Sequence, residues 1–280
     1  MKKIGFIDLS IDEWHANNYP AWIRQDRRGA EFELFMAYEE KPNPNGLDLA
    51  RWCEKFECRP ARSIEEIVDA CDALCVLAPS NPEVHERLAE LPLKSGKPVY
   101  IDKPFAPNRA AAERMFALAE RHRTPMFSSS ALRFSDQLLD YVRGGEAKPA
   151  NAVVTWGGGS NFPEYAIHQL EMIVSILGTG VSQVLYYGNG STDMAAFEYA
   201  DNRRASLTRG KLGFGAIACG ENGSKVMPEM SRTFENLISA LLDFFAGGPV
   251  PVPQEQTIEI AAMLDAVIRA SREPGKWLEL

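Results

Sequence analysis

The sequence lacks any run of about 18 apolar residues, so nothing in it reads as a membrane-spanning helix. It also lacks a basic stripe: 30 lysines and arginines are scattered among 38 acidic side chains, for a net charge of −8. Nucleic acid would meet a repulsive average field, which removes it as an expected partner. Cysteine is sparse, with Cys53, Cys58, Cys71, Cys75 and Cys219 forming an odd set without the close-paired spacing of a zinc ribbon. Cys71 and Cys75 lie in an apolar stretch and read as buried free thiols, so neither a disulfide nor a metal site is expected. No internal repeat or low-complexity tract occurs in either half. The opening MKKIGFIDLS carries a charged pair but reaches Asp8 too early for a secretory hydrophobic region, and the expected location is the cytoplasm.

What is present is the composition of a folded protein, 45% apolar and 24% charged over 280 residues. That length suggests two domains, and roughly 75% of the unfolded surface can be buried at this size. The first half alternates strand-like runs (KKIGFID, FELFMAY, ALCVLAP, PVYID, PMFSSS) with helical ones at 12–28, 48–56, 64–71, 83–91 and 109–121. Short β-rich runs separated by amphipathic helices predict a Rossmann-like, doubly wound parallel sheet over residues 1–125.

From about Ala131 the texture changes. A helix at 135–143 is expected to stop at Gly144-Gly145, and NAVVTWGGG follows, then one helix at 163–177. QVLYYGN, MAAFEYA, RASLTRG and FGAIACG come next in quick succession, with the turn chemistry of a large open, mostly antiparallel sheet. Residues 126–280 are therefore expected to form an α+β domain closed by helices at 233–245 and 254–271. MAAFEYA and QVLYYGN carry more apolar surface than one helical layer covers, so a homodimer or homotetramer is expected.

Four stretches, VLAPSNPEVHERLAE, SGKPVYIDKPFA, SSSALRFSDQLLDYV and AAMLDAVIRASREPGKWLEL, follow one another in an order that resembles the Gfo/Idh/MocA family of nicotinamide-dependent oxidoreductases. With the helix at 163–177 they span nearly the whole chain. The resemblance implies an N-terminal Rossmann domain, an open-sheet second domain, NAD as cofactor, and a sugar, polyol or related hydroxy compound as small-molecule substrate.

The sharpest motif is Asp102-Lys103-Pro104, directly after an apolar strand. Ligands of open parallel sheets lie at the carboxyl ends of the strands, so Lys103 enters the crevice there. Pro104 biases Lys103 toward extended backbone and is compatible with a cis bond. In the family this position reads Glu-Lys-Pro, which places the lysine between nicotinamide and substrate and makes Asp102 and Lys103 cofactor-contacting. An ammonium there can polarise a substrate oxygen. An ordinary strand-end Lys-Pro turn is the competing reading.

His168 resembles the histidine of the family's Asp-x-Gly-x-His-x-x-Asp pattern, here Glu164-Tyr165-Ala166-Ile167-His168-Gln169-Leu170-Glu171. Glu164, His168, Glu171 and Ser175 share helical spacing and form one polar stripe. A histidine flanked by carboxylates suits a general base, so Lys103, His168 and Glu164 are the candidate catalytic residues. The same stripe equally fits a solvated face capped by Asn161 with Glu164.

Where the family has G-x-G-x-x-G, this chain reads Asp8-Leu9-Ser10-Ile11-Asp12-Glu13. The glycines let the backbone approach a pyrophosphate while the helix amides stay free for it. Ser10 and Glu13 instead predict a capping box that uses up those amides. Asp8, Asp12 and Glu13 add negative charge, each pair with a phosphate costing about 3 kcal/mol at ~6 Å and an effective dielectric of 20.

The implied cofactor contacts are accordingly Asp8, Leu9 and Ser10 in this turn, Glu39 for a ribose diol, and Ala78, Pro79, Asn81 and His85 in the turn after the fourth strand. Glu39 would favour NAD over NADP, and solvated loop glutamates at 39 and 40 are the alternative. Trp14 and His15 fit either packing on the sheet or recognition of a hydroxyl-rich or cationic small molecule. Gly157-Gly158-Gly159 reads as a loop. Three functions follow: an NAD-dependent dehydrogenase, a metabolite-binding or regulatory protein that keeps the fold without the redox chemistry, or non-redox chemistry such as hydrolysis or elimination with a retained cofactor.

Overall fold

The structure, a computed structural model, describes residues 1–144, 149–189 and 191–280. Gly145, the second half of the expected helix-stopping pair, lies outside the described residues.

The chain divides into two compact units. Unit 1 comprises Met1–Ala106, Ala110–Ser129 and Leu237–Gln254; unit 2 comprises Pro107–Arg109, Ser130–Asn236 and Glu255–Leu280.

Unit 1 is built on the strands β1 (Lys2–Asp8), β2 (Phe32–Glu39), β3 (Arg59–Pro60), β4 (Ala73–Val76), β5 (Val99–Ile101) and β6 (Met126–Phe127). They run in the order β3-β2-β1-β4-β5-β6, and every pairing is parallel. Between them lie α1 (Trp14–Gln25), α2 (Leu49–Phe56), α3 (Ile64–Ala70), α4 (Pro82–Leu88), α5 (Glu90–Leu93) and α6 (Arg109–Arg121). β1, β4 and β5 show continuous burial, with Ile4, Phe6, Ile7, Leu74, Val76, Val99 and Ile101 fully buried. Unbroken apolar runs are what a parallel sheet covered on both faces requires. α6 presents Ala111, Ala112, Met115, Phe116 and Ala119 inward at helical spacing.

Unit 2 contains α7 (Asp136–Gly144), β7 (Ala150–Gly157), α8 (Phe162–Leu177), β8 (Val181–Gly188), β9 (Asp193–Tyr199), β10 (Arg204–Arg209), β11 (Gly215–Gly220) and β12 (Gly223–Met227). After α9 (Thr233–Phe245) it closes with α10 (Gln254–Ala270) and β13 (Trp277–Glu279). The seven strands run β12-β11-β7-β10-β9-β8-β13, antiparallel except for the parallel β7–β10 pair. β9 alternates strictly, burying Ala195, Phe197 and Tyr199 in a core with Ile167, Leu170, Val174, Met263 and Val267 of α8 and α10.

The sequence reading placed the boundary at residue 125 and all of 126–280 in one domain. Most of α9 groups instead with unit 1, because Phe244 meets the Phe127 ring edge-on at 5.2 Å and Lys2 Nζ donates to the Phe245 carbonyl at 2.9 Å. Arg27 and Arg28 also pair with Asp243. Such a return is set by tertiary packing and leaves no mark on the local pattern. Among the described residues, no helix is long and apolar enough to cross a membrane.

Candidate functional site

In the order of the unit 1 sheet, β1 and β4 flank the point where connections diverge to either side, and ligands of open parallel sheets lie at the carboxyl ends of such strands. Asp8, the last residue of β1, fills that point with its own side chain, 1% exposed. Its Oδ1 accepts the Ser10 amide at 3.2 Å, and the amides of Ala78 and Leu9 also face it. Burial, with Glu13 beside it, pushes the Asp8 carboxyl well above the ordinary range, and Oδ2 has no partner.

The expected Ser10–Glu13 capping box does not form. Ser10 Oγ donates instead to the Lys41 carbonyl at 2.8 Å, and α1 starts at Trp14 rather than 12. Glu13 is itself the N-cap and accepts from His15 N at 2.7 Å and from Ala16 N. The consequence drawn from the sequence, helix amides satisfied by the chain's own carboxylate, is reached through a different residue. Burial pushes the Glu13 carboxyl up to about 6 against the opposing pull of His15 and the two amides.

Glu39 spends both oxygens on backbone, accepting Ile11 N at 3.2 Å and Leu49 N at 3.0 Å. Glu40 pairs with Arg87. Asp12 accepts Leu47 N at 2.7 Å and Asn17 Nδ2 at 2.8 Å. Glu39 and Asp12 thus tie the first turn to the segment that leads into α2, and Leu9 contributes through its carbonyl, which accepts Lys41 N at 2.8 Å.

In the turn after β4, Ala78 and Ser80 adopt left-handed backbone at φ 47° and 65°. Non-glycine residues in that region mark a turn over-determined by its surroundings. Asn81 Nδ2 donates to the Pro79 carbonyl at 2.8 Å. His85 is fully buried, its Nε2 facing the Leu77 and Ala78 carbonyls at 2.8 and 3.1 Å and its Nδ1 the Phe105 carbonyl at 3.1 Å. The imidazole therefore braces the turn from within.

Asp102 follows β5 and is 1% exposed. Its Oδ2 meets His15 Nδ1 and its Oδ1 accepts the Tyr100 hydroxyl at 2.9 Å. Burial alone would raise this carboxyl, but His15 and then Lys103 outweigh it and hold it down at about 2. Tyr19 stacks on His15 at 5.5 Å, so the dyad is walled by aromatics. The Lys103–Pro104 bond is cis, and Lys103 leaves the strand end partly exposed.

In unit 2, Asn161 caps α8 by accepting Glu164 N at 2.9 Å, and its Nδ2 donates to Glu164 Oε2 at 2.8 Å. One turn on, His168 Nδ1 lies 2.7 Å from Ser130 Oγ, which also accepts Leu132 N at 3.2 Å. Glu171, 3% exposed, accepts Ser130 N at 3.0 Å and Arg133 Nε at 2.6 Å, while Arg133 Nη1 donates to Gln256 at 2.7 Å. The stripe is divided: its start is the exposed Asn161–Glu164 cap of the alternative reading, and its lower half is tied into a buried network that holds Ser130 beside His168.

Sequence reasoning missed Ser130, Tyr165 and Phe214. The Tyr165 and Phe214 rings flank His168 at 5.7 and 5.6 Å. The signal was in the glycines: a Cβ on Gly157 would come within 2.2 Å of the Phe214 ring, and one on Gly159 within 2.1 Å of Tyr165. Among the described residues, no group of three or more His, Cys, Asp or Glu side chains could hold a metal ion.

Residues 19–129 match the profile of the oxidoreductase family with an NAD-binding Rossmann fold, Gfo/Idh/MocA. No curated protein matches the sequence. Among solved structures, scyllo-inositol dehydrogenase from Lactobacillus casei with bound NAD(H) and scyllo-inositol is similar at TM-score 0.80 and 14% identity, covering 100% of this chain and 99% of that one. Myo-inositol 2-dehydrogenase from Lactobacillus plantarum gives 0.80 and 15%, with 100% and 99% covered. The WlbA dehydrogenase from Bordetella pertussis, in complex with NADH and UDP-GlcNAcA, gives 0.77 and 16%, with 99% and 98% covered. The two-unit fold is the fold of these dehydrogenases, and the match to the Gfo/Idh/MocA oxidoreductases lies almost wholly within unit 1.

The family description implies NAD, and the first turn does not fit its diphosphate. The profile match begins at residue 19, after that turn. The His15 and Ala16 amides, which a diphosphate would take at the head of α1, are bonded to Glu13, and Asp8 occupies the strand end beside them.

Proposed function

We propose that this oxidoreductase-family protein acts on a small polyol, sugar or related hydroxy compound, with Lys103 polarising a substrate oxygen and His168 exchanging the hydroxyl proton. The observation that carries the reading is the Ser130–His168 contact at 2.7 Å, anchored through Glu171 and Arg133. For His168 to act as a base, its Nδ1–H donates to Ser130 Oγ, and the Nε2 lone pair is left to accept the substrate's proton. Lys103 needs no such support, because its ammonium works as a point charge at a strand end. Glu164 stands one turn before His168 in α8, hydrogen-bonded to Asn161.

In the family such chemistry is completed by hydride transfer to NAD, and no step through the dinucleotide is derived for this chain. A second reading, a metabolite-binding or regulatory protein without redox chemistry, is favoured by the Glu13 cap. Both place the hydroxy compound on the same side chains. A copy of the chain is the proposed macromolecular partner, through the outer face of the seven-stranded sheet.

The test is calorimetric titration of inositols and hexoses into the wild type, Lys103→Ala and His168→Ala. Each substitution should weaken binding, or abolish turnover where it occurs, while the melting temperature stays nearly constant, as expected for polar groups that act on a ligand and not on the core. Unchanged binding and turnover in both variants would refute the assignment.

A further inference from the structure

Every Rossmann-type phosphate site rests on two conditions: helix N-terminal amides with no internal partner, and backbone close enough to reach them. Glu13 removes the first. Its carboxylate bonds to the amides of His15 and Ala16, the groups that would otherwise point at an anionic ligand. Asp8 removes the second, since its buried side chain stands at the strand end and takes the Ser10 amide, while Glu39 takes that of Ile11. A carboxylate and a phosphate are equivalent acceptors for such amides, so the chain carries its own occupant.

We infer that Glu13 is the specificity-determining residue of this strand end: it fills the anion site of α1 and excludes ligands held there by a diphosphate, NAD and NADP alike. The inference goes beyond the substrate reading and is independent of it, because it concerns the ligand of unit 1 and not the hydroxy compound. Ligands that remain admissible at this strand end are uncharged or cationic, because the anion site of α1 is already filled by a carboxylate of the chain.

The experiment titrates NADH and ADP-ribose, each followed by heat, into the full chain and three variants: Glu13→Gln, Glu13→Gly, and Asp8→Gly/Ser10→Gly/Glu13→Gly. Thermal melts by circular dichroism identify which variants are folded. The wild type should show no saturable binding up to about 1 mM, and a folded glycine variant should bind both probes at least about tenfold more tightly. Glu13→Gln keeps an acceptor for the amides and secures the test if the glycine variants do not fold; it too should gain affinity, by less. Saturation of the wild type by NADH below about 10 μM would overturn the inference. Folded variants that remain as blind to both probes as the wild type would also overturn it. Neither result touches the inositol and hexose titrations of Lys103→Ala and His168→Ala, so failure here and failure of the substrate reading are told apart.

Discussion

Replacing Glu13 by glutamine gives a stability change whose sign depends on pH. Burial raises this carboxyl from 4.5 to about 6, so between those values the folded protein holds a proton that the unfolded chain has released. Stability therefore falls as pH rises through the window. The difference of about 1.5 pH units corresponds to about 2 kcal/mol, lost by pH 7 and regained below pH 4.5. Glutamine does not titrate, and the variant escapes that loss. Against this stands the weaker neutral cap, which costs about 1 kcal/mol at the helix end. The two terms leave Glu13→Gln about 1 kcal/mol more stable than the wild type at pH 7 and no more stable at pH 4.

The charged groups that act on Glu13 are His15, which favours its ionised form, and Asp8 and Asp102, which oppose it. Asp8 is itself raised partly by Glu13, so its carboxyl falls toward the normal range in the variant and flattens the slope further. The assay is urea unfolding at half-unit steps from pH 4 to 7, read by tryptophan fluorescence, with the wild-type and variant midpoints subtracted so that distant groups cancel. A difference curve that is flat across pH 4.5 to 6, or that slopes the other way, would refute the reasoning.

Asp102→Asn should destabilise unit 1 by about 3 kcal/mol, since it breaks a buried pair whose other member, His15, stays buried; with a folded-state carboxyl near 2, the wild-type contribution is present above 3.8 and is lost as pH falls toward 2, which acid titration of the melting temperature reads. Ser130→Ala should lower kcat on any turned-over hydroxy compound about tenfold while KM and the melting temperature hold, because it frees the imidazole without touching substrate; Ser130→Thr should restore part of the rate. Ile217→Glu should shift a homo-oligomer to monomer in light scattering, and a wild type that stays monomeric at all concentrations defeats the proposed sheet-to-sheet association.

That last expectation has a register behind it. Ile217 pairs across the sheet with both Val226 and Val154, and the same row continues through Ser206, Ala196 and Leu185 to Trp277. Val226, Val154 and Trp277 are 55%, 42% and 42% exposed, so the row is apolar on six of the seven strands, with Ser206 its polar member on β10. A band this long is what an open sheet presents to a second copy.

The legible parts of the sequence were those governed by local periodicity. Runs such as ALCV and VYI, short, β-rich and set between helical segments, read as central parallel strands, and Asn161 ahead of an apolar helix fits a cap. The carboxylates of the first turn could be counted but not assigned, because Ser10 and Glu13 at capping-box spacing leave the true first helical residue undetermined. Here Lys41 captured the serine and moved the helix start to Trp14. Ser130 carried no pattern at all. Its role depends on a contact with a residue 38 positions away, as the capture of α9 by unit 1 depends on Phe127 and Phe244.

Losing three glycines in a dinucleotide turn would ordinarily threaten the fold itself, since an unpaired helix end in a crevice costs as much as any buried polar group. The first turn shows why it did not. Each amide that the ligand would have satisfied has found a carboxylate of the chain: Ser10 on Asp8, Ile11 on Glu39, His15 and Ala16 on Glu13. The helix dipole favours an anion at that place whichever molecule supplies it. The geometry that makes a Rossmann head group-binding is therefore also what allows a side chain to close it. Lys103, two strands away at the end of β5, has its own cis-proline setting, while the neighbouring His15–Asp102 pair is tied to the turn through the His15 amide on Glu13. Under the proposed roles, the turn that would meet the cofactor and the lysine that would polarise the substrate lie at separate strand ends, joined through His15, which bonds to Glu13 on one side and Asp102 on the other.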